Sequence, residues 1–90
     1  MWRVEYKKRF LKELAKLPDP IRSQAEKIVF EDLICENPFR LGCLEQMRGY
    51  PGKCKIRIGQ YRIGLTVDKK NQLIVCSRIA HRKDIYRLFP

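Results

Sequence analysis

Acid is scarce in the second half of this chain. From residue 48 to residue 90 only Asp68 and Asp84 are acidic, against eleven Lys and Arg, which leaves that half at +9. Residues 1 to 47 balance nine basic with eight acidic side chains, so one half carries nearly the whole net charge of +10. Two carboxylates so placed, one in a turn and one beside Arg82 and Lys83, do not form the acid and base pair of a glycosidase. Histidine is also scarce. His81 stands alone, and Cys35, Cys43, Cys54 and Cys76 form no C-x-x-C pair, so no zinc set is expected and no metal. The thiols read as reduced, mostly buried small hydrophobes. There is no Gly-rich phosphate loop, and Ser77 and His81 lack the third member of a hydrolase triad. No apolar run reaches the length of a bilayer span. Charges at Arg3, Glu5, Lys7, Lys8 and Arg9 interrupt any leader-like stretch. The expectation is a cytoplasmic protein without membrane, metal or cofactor.

What is present suits one small α+β domain spanning residues 1–90, with 44% hydrophobic and 33% charged residues and no internal repeat. Trp2, Val4 and Tyr6 alternate with Arg3 and Glu5, the period of a strand with one buried face. Phe10, Leu11, Leu14 and Leu17 then recur at helical spacing up to the Pro18-Asp19-Pro20 break. Asp19 reads as the N-cap of a second helix, with Pro20 in its first turn and a stripe of Ile21, Ala25, Ile28, Val29 and Leu33 running to about Glu36. Two helices joined so closely need a sheet to lie on. Strand-like stretches follow at 44–48, 53–58, 61–67 and 73–80, separated by Gly- and Asp-containing turns. The apolar residues Ile85, Leu88 and Phe89 in the tail predict a short helical turn docked on that sheet.

Gly59-Gln60 is a two-residue hairpin loop suited to a type II′ turn, and it dictates a register. Ile58 faces Tyr61, Arg57 faces Arg62, Lys55 faces Gly64 and Lys53 faces Thr66. Ile56, Ile58, Ile63, Leu65 and Val67 then point to the helix-covered side, while Lys53, Lys55, Arg57 and Arg62 share an open face. Like charges directly opposite repel by up to about 1 kcal/mol, so the Arg57–Arg62 pair suggests an anion held between them, and replacing Arg62 is expected to leave stability unchanged or raise it. Gly64 would leave a shallow spot where a phosphate or ribose could approach. Tyr50 and Tyr86 are placed to stack on bases. Segregated positive charge of this kind favours nucleic acid as the partner.

These features together resemble the RelE/ParE toxin superfamily, and within it the RelE-like mRNA interferases. The resemblance extends over the whole chain and is carried by Lys12-Glu13-Leu14-Ala15-Lys16-Leu17-Pro18, Met47-Arg48-Gly49, Lys55-Ile56-Arg57, Tyr61-Arg62-Ile63 and His81-Arg82-Lys83-Asp84-Ile85-Tyr86. It implies an N-terminal strand and a helical hairpin packed on a twisted antiparallel sheet of three to four further strands. It also implies a metal-independent, ribosome-dependent endoribonuclease in which the mRNA 2′-hydroxyl attacks its own 3′-phosphate. The catalytic set carries over onto Lys55, Arg57, Arg62, Arg82 and Tyr86; proton transfer to the leaving oxygen is left to either Arg82 or His81, and Lys53, Arg48, Lys83 and Tyr50 are candidate RNA-binding residues. Lys55 is the preferred base, because an Arg does not give up its proton. Ribosome, mRNA and a cognate acidic antitoxin are the implied partners. Two other readings share the fold or the charge: a ParE-like toxin that inhibits DNA gyrase by protein contact, and an RNA-binding domain without catalysis.

Overall fold

The computed structural model describes every residue from Met1 to Pro90. Strand β1 (Arg3–Tyr6) leads into helix α1 (Lys8–Ala15), and helix α2 (Ile21–Lys27) continues through one π turn (Ile28–Asp32). A 3-10 turn (Pro38–Leu41) precedes the short strand β2 (Glu45–Gln46). Strands β3 (Lys53–Ile58), β4 (Tyr61–Asp68) and β5 (Leu73–His81) follow, and helix α3 (Ile85–Leu88) closes the chain. The five strands lie in the order β1-β5-β4-β3-β2. β2 to β5 are antiparallel as expected, whereas β1 pairs parallel with β5. A parallel partner requires a long crossover, and here the helical layer and three strands separate the two in sequence.

The helices cover one side of the sheet. Phe10 and Leu14 of α1, with Ala25, Val29 and Leu33, meet Ile56, Ile58, Ile63, Leu65, Val67 and Ile74 in a cluster of 15 buried residues. Leu11, assigned above to the α1 stripe, instead points outward, because one residue along a helix rotates the side chain by roughly 100°. Asp19 does not cap α2 through a backbone bond; its carboxylate accepts from Ser23 Oγ at 2.9 Å and Arg22 Nη2 at 3.1 Å, and Pro20 occupies the N-cap position. The second helix also ends earlier than Glu36, with Leu33 at its C-cap. In the π turn the Leu33 amide bonds to the Ile28 carbonyl, and the Val29 carbonyl accepts the Tyr6 hydroxyl instead, tying α2 to β1. All four cysteines are free; Cys54 and Cys76 are buried, Cys35 and Cys43 half-buried.

β1 covers β5 only along Leu73–Cys76, so the Ile79 amide would be left unpaired on that edge. The Glu13 carboxylate of α1 closes the edge, accepting from Ile79 N at 3.1 Å and from Arg78 Nη2 at 2.7 Å. On the opposite side of the sheet the cover is thin. Ile85 and Phe89 of the tail pack with Met47 against Ala80, a cluster of three buried residues. The strand expected at 44–48 shortens to two residues, because the chain turns early: Met47 N donates to Lys53 O at 2.8 Å, Gly49 and Gly52 take φ values of 81° and 78°, and the Met47 side chain drops under the tail.

Candidate functional site

The β3–β4 hairpin has the register written above, with Ile58 opposite Tyr61, Arg57 opposite Arg62, Lys55 opposite Gly64 and Lys53 opposite Thr66. Gly59 adopts φ 57° while Gln60 does not take a positive φ, as a type II′ turn requires. The alternation therefore delivers Lys53, Lys55 and Arg57 to the side of the sheet away from α1 and α2.

That side is less open than the sequence suggests. Arg62 is only 9% exposed. Its Nη1 donates to the carbonyls of Gly59 at 2.8 Å and Tyr61 at 2.9 Å, so the guanidinium is turned into the hairpin loop. Backbone carbonyls, rather than an anion, offset the expected repulsion with Arg57. The shallow spot at Gly64 is occupied too: a Cβ there would lie 2.4 Å from the Phe89 ring. Glycine at this position makes room for the protein's own tail.

Docking of that tail builds a direct side-chain contact on this face. With Ile85 and Phe89 anchored, α3 presents Tyr86, 56% exposed, to β3. Lys55 Nζ donates to Tyr86 Oη at 2.7 Å and sits 5.1 Å from the ring centroid. Arg82 follows β5 directly, and its amide donates to the Gln60 carbonyl at 2.7 Å, which fixes the start of this segment beside the hairpin loop. Lys55, Arg57, Arg82 and Tyr86 thus come from β3, the end of β5 and α3, with Lys83 adjoining Arg82. The four ion pairs of the protein join Arg22 to Asp19, Lys27 to Asp32, Arg78 to Glu13 and Arg87 to Asp84, and none uses Lys55, Arg57, Arg62 or Arg82. The local field is left uncompensated and favours an anion.

Other expected residues are dispersed. Lys53 Nζ bonds to Thr66 Oγ1 at 3.1 Å and lines a small cleft that does not include Lys55, with the Phe89 ring 5.8 Å away. Arg48 and Tyr50 line a broad cleft of about 1090 Å³ with Phe39, Val67 and Lys69, reached from the loop before β3, at the end of the strand remote from Arg57. His81 packs edge-on against Tyr61 with ring centroids 5.6 Å apart, and its Nδ1 accepts the Lys83 amide at 3.2 Å. No three His, Cys, Asp or Glu side chains gather as metal ligands. No helix is long and apolar enough to cross a membrane. Sequence reasoning missed the part of Phe89 as a wall of the site; the signal was Gly64 itself, whose missing side chain is as suitable for close packing as for a ligand.

Comparison with known proteins agrees with this architecture. Residues 4–86 match the family model described as the ParE toxin of the type II toxin-antitoxin system parDE. Toxin RelE3 of Methanocaldococcus jannaschii is 36% identical over 92 aligned residues, covering 98% of this chain and 99% of the relative. Toxin RelG of Mycobacterium tuberculosis is 36% identical over 76 residues, covering 84% and 85% of the two chains. A solved RelB-RelE antitoxin-toxin complex from Methanococcus jannaschii contains a chain that superposes with TM-score 0.73 at 33% identity, covering 96% of this chain and 99% of that one. The family description carries the ParE name while the similar individual proteins carry the names RelE3, RelG and RelE, and all lie in one superfamily with one fold. By its sequence from β1 to α3 and by its sheet order, this chain belongs to the RelE/ParE superfamily of toxins of type II toxin-antitoxin systems.

Proposed function

We propose that this toxin is a ribosome-dependent endoribonuclease that cuts mRNA and so stops translation. The observation that carries the reading is the Lys55 Nζ to Tyr86 Oη contact of 2.7 Å within a group of Arg side chains that has no carboxylate partner. Such a set suits in-line transfer at a phosphodiester. Lys55 is the base that takes the proton of the 2′-hydroxyl as that oxygen bonds to the adjacent phosphorus; the bond to the 5′-oxygen breaks, leaving a 2′,3′-cyclic phosphate and a free 5′-hydroxyl. Arg57 and Arg82 face the extra negative charge of the pentacoordinate transition state, the kind of electrostatic stabilisation that dominates many active sites. Arg62 adds its charge from beneath and holds the loop. Arg82 offers hydrogen-bond donors to the departing oxygen, which is protonated from solvent, because a guanidinium keeps its proton. His81, with Nδ1 occupied by an amide, serves this step less well. Tyr86 positions Lys55 and presents an exposed ring to a base.

Nothing in this set orders a flexible RNA strand, which is the reason to assign that task to the ribosome. A cognate antitoxin with an acidic segment, covering this face or the helical hairpin in the cytoplasm, is the partner proposed to silence it, as the relatives solved as RelB-RelE complexes are bound by theirs. Gyrase inhibition, suggested by the ParE description of the family, gives Lys55 and Tyr86 no task. The test adds the purified protein to a translation reaction and maps mRNA ends by primer extension, with ribosome-free RNA alongside. Discrete cuts in translated mRNA only are expected. Intact mRNA together with inhibited gyrase supercoiling would replace this reading with the ParE one.

A further inference from the structure

The tail divides the basic side of the sheet. On the far side of Phe89 from the Lys55–Tyr86 contact lies a second cleft of about 410 Å³, lined by Lys7, Arg9, Lys53 and Arg78 together with the hydroxyls of Thr66 and Ser77. No Asp or Glu side chain lines it. Lys7 and Arg9 are exposed and take part in no ion pair, and Lys53 is bonded only to the neutral Thr66 hydroxyl. Arg78 is held by Glu13 through Nε and Nη2, which leaves Nη1 without a bond to it. Three uncompensated cations and part of a fourth converge on a space too small for a helix of a protein partner but adequate for a phosphate and its sugar.

We infer that this cleft is a second phosphate site, which holds the RNA backbone one or more nucleotides away from the bond cut at Lys55. This inference rests on the RNA-cleaving reading above and extends it. Lys53 and Lys55 lie two residues apart on one face of β3, a separation of about 7 Å, comparable with the spacing of successive phosphates in an extended strand. A strand crossing the tail at this point would therefore meet a cation on each side. The tail lies between them at the buried Phe89, whose ring is 5.8 Å from Lys53 Nζ. Hydroxyl groups at Thr66 and Ser77 can donate to phosphate oxygens, which an acidic protein surface does not need. The cleft would hold RNA in place while Lys55 and its neighbours act on the next phosphate, so its loss weakens binding of longer RNA before it affects the chemical step.

The test uses the full chain and uncleavable 2′-O-methyl oligonucleotides, a dinucleotide with its single phosphate and a nonanucleotide, read by fluorescence anisotropy across a salt series. The wild-type protein should bind the nonanucleotide about tenfold more tightly, and with a steeper salt dependence, since each phosphate contact on a single strand adds about 0.7 to the slope. K7Q/R9Q should keep the dinucleotide affinity, lose most of the gain with length and lower the salt slope by about 0.7. K7R/R9K should restore both, which a merely structural role for these side chains would not require. An undiminished length gain in K7Q/R9Q overturns the second site and leaves the nuclease reading standing. A wild-type protein that binds neither oligonucleotide and does not cleave on ribosomes overturns both readings. A wild-type preference for an oligo-glutamate peptide over RNA, abolished by the same double substitution, would give the cleft to an acidic protein and also overturn the inference.

Discussion

The two sides of one sheet are built on opposite terms. Beneath α1 and α2, Ile56, Ile63, Leu65, Ile74 and Cys76 are fully buried within a continuous apolar cluster. Across the same strands, Lys53, Lys55 and Arg57 share a surface whose apolar cover is three residues supplied by a short tail and a loop. The first side stabilises the fold; the second is held at low stability and high charge, conditions suited to gathering a polyanion. Residues 62, 63 and 64 step across this divide within one strand, and they provide the sharpest comparison.

Ile63→Ala should have the largest effect on stability, about 2–5 kcal/mol, because the cavity opens in the fully buried helix-side core. Denaturant unfolding measures it; a loss below about 1 kcal/mol would mean the two sides are packed alike. Next comes Arg62→Gln, expected to cost about 1.5–3 kcal/mol, since the charged donor to the Gly59 and Tyr61 carbonyls is lost from a buried position. That sign is opposite to the one suggested by cross-strand repulsion alone, and unchanged or increased stability would restore the repulsion argument. Gly64→Ala should cost about 1–3 kcal/mol or less, because Phe89 can swing away. The disturbance should show instead as α3 leaving the sheet, seen as new exposure of Phe89 and loss of the Lys55 contact to Tyr86, with slower cleavage.

This contrast also explains what could be read in advance. The helix-side core follows period-2 and period-3.6 patterns, and its residues at 56, 58, 63, 65 and 67 were all placed by the two-residue Gly59-Gln60 turn, as was the pairing of Arg57 with Arg62. Which way a long polar side chain turns is not coded in such a pattern. Arg62 shares its face with Arg57 in register, yet its guanidinium reaches back to loop carbonyls that only the folded turn brings near. Gly64 was legible as a place of close approach, but its occupant, Phe89, arrives from 25 residues down the chain, and no local periodicity points to it. The parallel pairing of β1 with β5, the closure of the Ile79 edge by Glu13 and the separation of Arg48 and Tyr50 from Arg57 are likewise tertiary outcomes.

A smaller effect of the helix-side core is a dependence on alkaline pH. The Cys76 thiol ordinarily ionises around 9.0, and burial pushes it up to about 12 in the folded protein. Between these values the unfolded chain loses a proton that the folded chain keeps, so stability falls as pH rises through that window. At pH 10 the deficit relative to neutral pH should be about 1.4 kcal/mol from this one group. Cys76→Ala should remove that part of the slope, and an alkaline slope unaltered by the substitution would place the cause elsewhere.

The central claim is that the thinly covered side carries the chemistry, with Lys55 at its centre. It is tested most directly by single-turnover cleavage of ribosome-bound mRNA with Lys55→Ala, beside thermal unfolding of the same protein. Lys55 is half exposed and its only side-chain bond is to Tyr86. The account predicts a rate lower by about a hundredfold or more with an unfolding temperature close to that of the wild type. Cleavage at the wild-type rate by a folded Lys55→Ala protein would contradict it, and the reacting groups would have to be sought off this face.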